Sequence, residues 1–294
     1  MSAAPAVGTL GSWLELVRAP AALTVLGDTV AGAAAAGRPL RGRRLALPLA
    51  SVALYWSGMV LNDWADRAVD AGERPERPIP SGRIAPGPAL AAAAGLSGAG
   101  LALAALAGGS DALWVAVPLA GAVWAYNTVL KPTPAAPVAM AACRALDVLL
   151  GAGAGHWTAA RTSALAVAAH TLGVTALSRG EVHGGRRADS RLALTTTLVA
   201  TALTCGGRAP SRLHRTAAGL CALGYAGTTG RSQLAADAAL STAAAVRAAT
   251  VAGIHAMVPL QAGLAARRGS LRAAALVLTA LPLARRLSAR RSPT

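Results

Sequence analysis

The sequence predicts an all-α, polytopic integral membrane protein, and three observations carry that prediction. Of its 294 residues, 54% are hydrophobic and only 14% are charged, against roughly a quarter charged in soluble domains. Runs of Ala, Leu, Val and Gly recur from end to end, each close to the ~20 residues an α-helix needs to cross ~30 Å of hydrocarbon. The runs do not alternate apolar with polar residues, so they are not barrel strands, and helices remain as the way to satisfy every backbone group in lipid.

Nine spans are predicted, with Gly-, Pro- and Arg-bearing connections as the boundaries. The first, 20–36, stops at Gly37 and Arg38; the second, 45–61, follows Arg41, Arg43 and Arg44 and runs into Asn62. The third, 87–107, lies between Pro86 and Gly108, and the fourth, 111–129, ends before Lys131 and Pro132. The fifth and sixth, 136–155 and 160–178, flank a glycine-rich break; the seventh, 191–206, closes at Gly207; the eighth and ninth are 213–229 and 243–264. A further run, 270–286, reads either as a tenth span or as the last one, if 231–249 with Asp237 and Arg247 lies along the interface. No composition shift marks a second domain, so residues 1–294 read as one membrane domain.

The chain has 28 Lys+Arg against 12 Asp+Glu, a net charge of +16. In a soluble protein that excess would suggest nucleic acid. Here the arginines sit between apolar runs, where anionic lipid headgroups are the partners, and 3% aromatic residues with no Phe offer no base-stacking platform. Cys143, Cys205 and Cys221 are odd in number and widely spaced, which suggests neither a disulfide framework nor a zinc site. The stretch MSAAPAVGTLGSWLELVRAP lacks a basic region followed by an uninterrupted apolar core, so no cleaved signal peptide is read and the first span serves for insertion.

Two loops, 62–86 and 179–190, follow the second and sixth spans and therefore lie on one side of the membrane. Arginines on both sides oppose one another, so charge assigns no orientation. In the first loop, NDWADRAVD places Asp63, Asp66 and Asp70 at i, i+3 and i+7, with Asn62 four before Asp66, on one helical stripe. Carboxylates so close raise one another's pKa unless a cation sits among them, and oxygen ligands suit a hard ion such as Mg²⁺. The alternative is a solvated segment whose acids pair with Arg67, Arg74 and Arg77. Arg74, Arg77 and Arg83 follow on a proline-stiffened stretch, with guanidinium forks suited to phosphate.

NDWADRAVD and RPERPIPSGRI resemble the N-D-x-x-D-x-x-x-D and R-P-[IL]-P-S-G-R elements of the UbiA superfamily of intramembrane prenyltransferases. The resemblance implies nine helices around a central cavity, with motifs after the second and sixth holding Mg²⁺ and a prenyl diphosphate. YNTVLK resembles that family's Tyr-x-x-x-Leu-Lys element, which makes Lys131 a diphosphate contact, Tyr126 a cavity-lining substrate contact and Asn127 a substrate contact. SRGEVHGGR stands where the family has its second aspartate motif: Glu181 falls on the first aspartate and Gly185 on the second. His183 reads either as a replacement ligand or as a helix-end hydrogen-bonder, and Arg179 and Arg186 as phosphate neutralisers. Arg144 and Asp147, at i and i+3 within a span, are expected to pair and face the cavity, because isolated charges in lipid are costly. Asp28 is expected to face it too, and His255, on an apolar helix that also carries Gln261, to bond between helices. SRGEVHGG and MVPLQA together resemble the EboC-like branch, which implies a bacterial inner membrane.

The implied chemistry is Mg²⁺-dependent transfer of a prenyl group from its diphosphate to an aromatic or lipid-like acceptor. Asp63, Asp66, Asp70 and Lys131 are the implied catalytic residues, and Asn62, Asp63, Asp66, Asp70, Glu181 and His183 the metal ligands. Arg74, Arg77, Arg144, Asp147, Arg179 and Arg186 are the further substrate contacts. A non-catalytic isoprenoid carrier and a cyclase remain the alternatives.

Overall fold

A computed structural model describes residues 9–18, 22, 24–239 and 241–289. Residues 1–8 of the stretch read as uncleaved, and positions 20, 21 and 23 of the first predicted span, lie outside the described residues.

A short helix, α1 (Leu10–Leu16), starts where the Thr9 hydroxyl accepts the Ser12 amide at 3.3 Å, an N-cap. It leads to Arg18, which holds a left-handed φ of 48°, and then to α2 (Leu26–Ala35). The third helix, α3 (Ala46–Glu73), has 28 residues, about 42 Å at 1.5 Å per residue. It is longer than a bilayer core, so it carries the 62–70 motif as continuous helix. The loop predicted from residue 62 begins only after Glu73, because strong helix formers, Ala65, Arg67, Ala68 and Ala71, fill the motif's gaps.

Pro86 opens α4 (Pro86–Gly108) at a position where a missing amide is harmless. The next helix, α5 (Ser110–Ala125), passes into a π-turn at Tyr126–Leu130. Then follow α6 (Ala136–Ala152), α7 (Trp157–Ser178), α8 (Arg187–Cys205), α9 (Arg212–Ala238), α10 (Ala243–Arg267) and α11 (Leu271–Ala289). Among the described residues, four stretches, Gly42–Glu73, Pro86–Gly108, Ser110–Leu130 and Ala243–Arg267, are long and apolar enough to cross a membrane. Ala136–Ala152 and Ala154–Ser178 qualify together, bent by 97° at Gly153. Threonines with Arg187, Asp189 and Arg191 in α8, and Arg212, Arg215, Arg231 and Asp237 in α9, lower the hydropathy of these two. Residues 231–249 form no separate interfacial helix: α9 runs on to Ala238, and α10 starts at Ala243 and packs along it.

Small residues let the helices approach closely, the usual device where lipid removes the hydrophobic drive between helices. A side chain at Gly32 of α2 would enter the Val148 carbonyl of α6, and one at Gly151 of α6 would enter the Thr29 carbonyl of α2. Deeper in this bundle, buried Asp28 of α2 receives Gln261 Nε2 of α10 at 2.6 Å and stands 2.8 Å from Arg144 Nε of α6. Gln261 also donates to the Thr24 carbonyl at 2.8 Å, so this polar knot joins α2, α6 and α10. Apolar clusters flank it, one including Leu54 and Leu119 and another including Met257 and Leu260.

Candidate active site

α3, α5, α6, α7 and α10 enclose a cavity of about 600 Å³. Its lining changes along the axis. At the mouth are Asn62, Asp66, Arg74, Arg77, Lys131, Ser178 and Glu181, joined by Arg18. The middle is apolar, with Leu54, Met59, Val123, Met140, Ile254 and Met257. At the deep end lie Thr24, Ser51, Arg144, Asp147 and His170. Ser51 and Asn62 are eleven residues apart on one helix, so mouth and floor are about 16 Å apart.

At the mouth, Lys131 is aimed inward by the π-turn, whose extra residue is closed by the Lys131 amide on the Tyr126 carbonyl at 2.8 Å; such bulges redirect side chains at functional sites. Its ammonium donates to Asn62 Oδ1 at 2.6 Å and to Asp66 Oδ2. Asn62 Nδ2 reaches Asp63 Oδ1 at 3.2 Å and Asp66 Oδ2 at 3.4 Å. Asp63 and Asp70, though on the same stripe, are buried behind arginines. Arg77 Nη1 donates to Asp70 Oδ2 at 2.5 Å and Asp63 Oδ1 at 3.5 Å, Arg18 Nη2 donates to Asp63 Oδ1 at 2.9 Å, and Arg74 stands 3.8 Å from Asp70. Arg67 instead covers the Trp64 ring, 4.6 Å from its centroid. Outside the membrane segments, Arg83 makes a two-pronged bridge to Glu15 at 2.7 and 3.0 Å, which ties α1 to the arginine loop and raises the Arg83 pKa above its ordinary value.

Tyr126 and Asn127 line the cavity, and Asn127 Nδ2 donates to the Val123 carbonyl at 2.8 Å. In the second motif, Glu181 lines the cavity, and its backbone carbonyl accepts Arg247 Nη1 at 2.6 Å. His183, Arg179 and Arg186 are exposed and do not line it; Arg186 pairs with Asp189 at 3.2 Å. Among the described residues, no three His, Cys, Asp or Glu side chains are grouped so as to hold one metal ion. The six-residue ligand set is therefore not gathered at one point, because the arginines already neutralise Asp63 and Asp70.

One pairing differs from expectation. Arg144 pairs with Asp28 rather than Asp147, which accepts the Ser51 hydroxyl at 2.6 Å; the oppositely charged neighbour one helix away is nearer in space than the one at i+3. Asp28, wholly buried, does not line the cavity. Gln261 bonds between helices, and His255 is half-buried on α10. Sequence reasoning missed Arg18, since a lone arginine before a predicted span carries no motif. It also missed His170, whose Nε2 lies 3.1 Å from the Gly253 carbonyl while Nδ1 lies 2.9 Å from the Tyr225 hydroxyl. The Gly253 carbonyl can only accept, so Nε2 donates to it, and in the neutral ring Nδ1 accepts from the tyrosine hydroxyl.

The sequence model of the UbiA prenyltransferase family matches residues 23–255. The chain belongs to the UbiA prenyltransferase family. It is 35% identical over 125 residues to a digeranylgeranylglyceryl phosphate synthase of Methanospirillum hungatei, a match covering 40% of this chain and 42% of that protein. The matched part thus spans about two fifths of the relative. A UbiA homolog from Aeropyrum pernix K1 superposes with a TM-score of 0.65 at 18% identity, covering 82% of this chain and 96% of that one. A UbiA homolog from Archaeoglobus fulgidus, solved with GPP and Mg²⁺, superposes with a TM-score of 0.54 at 13% identity, over 82% and 99%. These likenesses show the fold. Within it, Asn62, Asp66 and Lys131 meet at one end of one cavity.

Proposed function

We propose that this UbiA-family chain transfers a prenyl group from a prenyl diphosphate to an aromatic or lipid-like acceptor, with Mg²⁺ at the cavity mouth. The observation that carries this reading is the Lys131 ammonium lodged between Asn62 Oδ1 and Asp66 Oδ2. A cation already sits between two oxygens one helical turn apart, which is the donor chemistry a hard divalent ion takes. Asn62 and Asp66 would hold the ion, with Glu181 in the same cavity; bound there, it would neutralise diphosphate oxygens as the allylic C–O bond breaks.

Charge balance supports the need for it. Arg18, Arg74, Arg77 and Lys131 are equalled in number by Asp63, Asp66, Asp70 and Glu181, and the first three of these carboxylates hold all four cations in ion pairs, so these eight residues leave no surplus positive charge for a polyanion. Lys131, Arg74 and Arg77 then position the phosphates, and Arg179 and Arg186 act at the entrance from the exposed loop. The C–O electrons leave with pyrophosphate, the acceptor's electron pair forms the new bond to C1, and the acceptor loses a proton. Apolar residues of the middle exclude water from the allylic cation. The GPP and Mg²⁺ bound by the Archaeoglobus fulgidus homolog support the same substrate class. The matched relative's name supports a lipid-like acceptor, whereas the second motif supports the EboC-like branch and a bacterial plasma membrane.

Pyrophosphate release by purified protein in nanodiscs, with Mg²⁺ and prenyl diphosphates of several lengths, tests this reading. Asp66→Ala is expected to abolish release while the helical circular dichroism is retained; wild-type turnover in that variant would refute the role of Asp66. The absence of a three-ligand metal group among the described residues favours one second reading, a carrier that binds the diphosphate without cleaving it. Mg²⁺-dependent binding with no release over many hours would select it.

A further inference from the structure

The second-motif side of the mouth carries a guanidinium that, among the described residues, no acid holds. Thr250, Ile254 and Met257 of α10 line the cavity, and Arg247 precedes them on the same helical face, one turn nearer the start of the helix and beside Glu181. We propose that Arg247 takes a phosphate of the prenyl diphosphate at this rim, supplying directly the positive charge that the second motif, with Gly185 in place of a carboxylate, does not recruit through a metal. The inference rests on the transfer reading above, since it gives that donor's diphosphate one more contact.

Three observations carry it. First, the side chain is placed but uncommitted. Arg247 is exposed, and its Nη1 donates to the backbone carbonyl of Glu181, a cavity-lining residue, at 2.6 Å. That bond uses one of the five guanidinium N–H groups, and among the described residues Arg247 makes no ion pair. The acids of the α8 start and the α9 end are engaged elsewhere: Asp189 pairs with Arg186 at 3.2 Å, and Asp237 stands 3.7 Å from Arg191. Second, the carboxylate missing from the motif would have stood close to this arginine. A Cβ at Gly185 would lie 3.4 Å from Val246, the residue before Arg247, so an acid there would compete for the guanidinium, and glycine leaves it free. Third, the turn does not depend on Arg247 for its place. The Gly185 amide bonds the Ser241 carbonyl at 2.7 Å, and the Ser190 and Ser241 hydroxyls meet at 2.8 Å, which fastens the same turn to the α9–α10 junction independently.

The charge count gives this cation its use. A prenyl diphosphate carries roughly three negative charges at neutral pH, because a terminal phosphate loses its second proton near pH 6. The eight charged residues of the mouth balance among themselves, and one divalent ion answers two of the three charges, so one is left over. Arg247 supplies that one. A guanidinium fork suits two phosphate oxygens at once, and because Nη1 is already held by the Glu181 carbonyl, less side-chain freedom is lost when the phosphate binds.

The test uses the full chain in nanodiscs and inorganic pyrophosphate with Mg²⁺ as the probe, because pyrophosphate is the head shared by donors of every chain length; its binding is followed by titration calorimetry. Arg247→Gln is expected to weaken that binding about tenfold, the scale of one charge-assisted hydrogen bond, whereas Arg247→Lys, which keeps the charge but loses the fork, costs about threefold. Gly185→Asp sets an acid beside Arg247 and should also weaken pyrophosphate binding about tenfold, but by less than about twofold when Arg247 is already Gln, the non-additivity of two changes at one contact. Manganese binding without pyrophosphate, read by electron paramagnetic resonance, should stay within about twofold of wild type in Arg247→Gln, because the ion is held by Asn62 and Asp66. Unchanged pyrophosphate binding in Arg247→Gln, a parallel loss of manganese binding that would make Arg247 only a support for the Glu181 turn, or no saturable pyrophosphate binding by the wild-type chain would overturn the proposal. Because these readouts involve no turnover, an unaltered Arg247→Gln protein would sink this contact alone, while the transfer reading stands or falls on pyrophosphate release and its Asp66→Ala control.

Discussion

Lys131→Met is expected to move two properties in opposite directions, which makes it the sharpest probe of the cavity mouth. In the ligand-free protein the ammonium occupies the space between Asn62 Oδ1 and Asp66 Oδ2, so a divalent ion must displace it. Both side chains of the Lys131–Asp66 pair are somewhat under one third exposed, at 29% and 28%, so water screens the pair and its strength is taken near the top of the range for exposed ion pairs, about 1 kcal/mol. Removing that competitor should tighten metal binding by about fivefold. Manganese, which shares oxygen ligands with magnesium and is paramagnetic, gives the readout: titration followed by electron paramagnetic resonance, without diphosphate. Pyrophosphate release by the same variant should fall by about a hundredfold, the scale of losing one preorganised donor to a developing anion. Unchanged or weaker manganese binding in a folded Lys131→Met protein would refute the claim that lysine and metal share one position.

Other perturbations probe the remaining parts. Arg18→Ala removes a cavity-lining guanidinium that bonds Asp63 at 2.9 Å and should raise KM for the prenyl diphosphate about tenfold, one charge-assisted hydrogen bond's worth, with circular dichroism unchanged; an unaltered KM would exclude Arg18 from substrate contact. Gly151→Ala drives a methyl group into the Thr29 backbone across the α2–α6 contact and should cost about 1–3 kcal/mol of stability, read as a lowered melting temperature in nanodiscs. A thermally neutral Gly151→Ala would show that the two helices are not in close contact there.

Much of this was legible in the sequence, for reasons that differ by level. Apolar runs of span length gave the helical membrane class, because in lipid few alternatives satisfy the backbone. The NDWADRAVD stripe located the mouth, because side chains at i, i+3 and i+7 share a helical face however the bundle packs. Partners across helices were not legible. Arg144 and Asp147 looked like a pair at i and i+3, but Asp28, 116 positions before Arg144 in the chain, lies 2.8 Å from it. Arg18 and His170 left no sequence signal at all, since each acquires its role from where a distant helix places its partner.

The two halves of the mouth are unequal, and the inequality has a physical consequence. On the α3 side, four acidic or amide side chains meet three arginines and a lysine, and each carboxylate is answered. On the α7 side, Gly185 stands where the family motif has a carboxylate, and Gly180 packs so tightly against Gly185 that a side chain at Gly180 would collide with its backbone. The Gly185 amide is itself bonded to the Ser241 carbonyl at 2.7 Å, so this turn is fastened to the α9–α10 junction and not to the cavity. A carboxylate added at Gly185 would have its Cβ 3.4 Å from Val246 and 3.6 Å from Ser241, ordinary contact distances that direct it toward the start of α10. Restoring the motif by Gly185→Asp should therefore leave metal affinity within about twofold of wild type, because the missing ligand cannot be regained without moving the turn; a gain of about tenfold or more in the manganese titration would show that the turn does face the site.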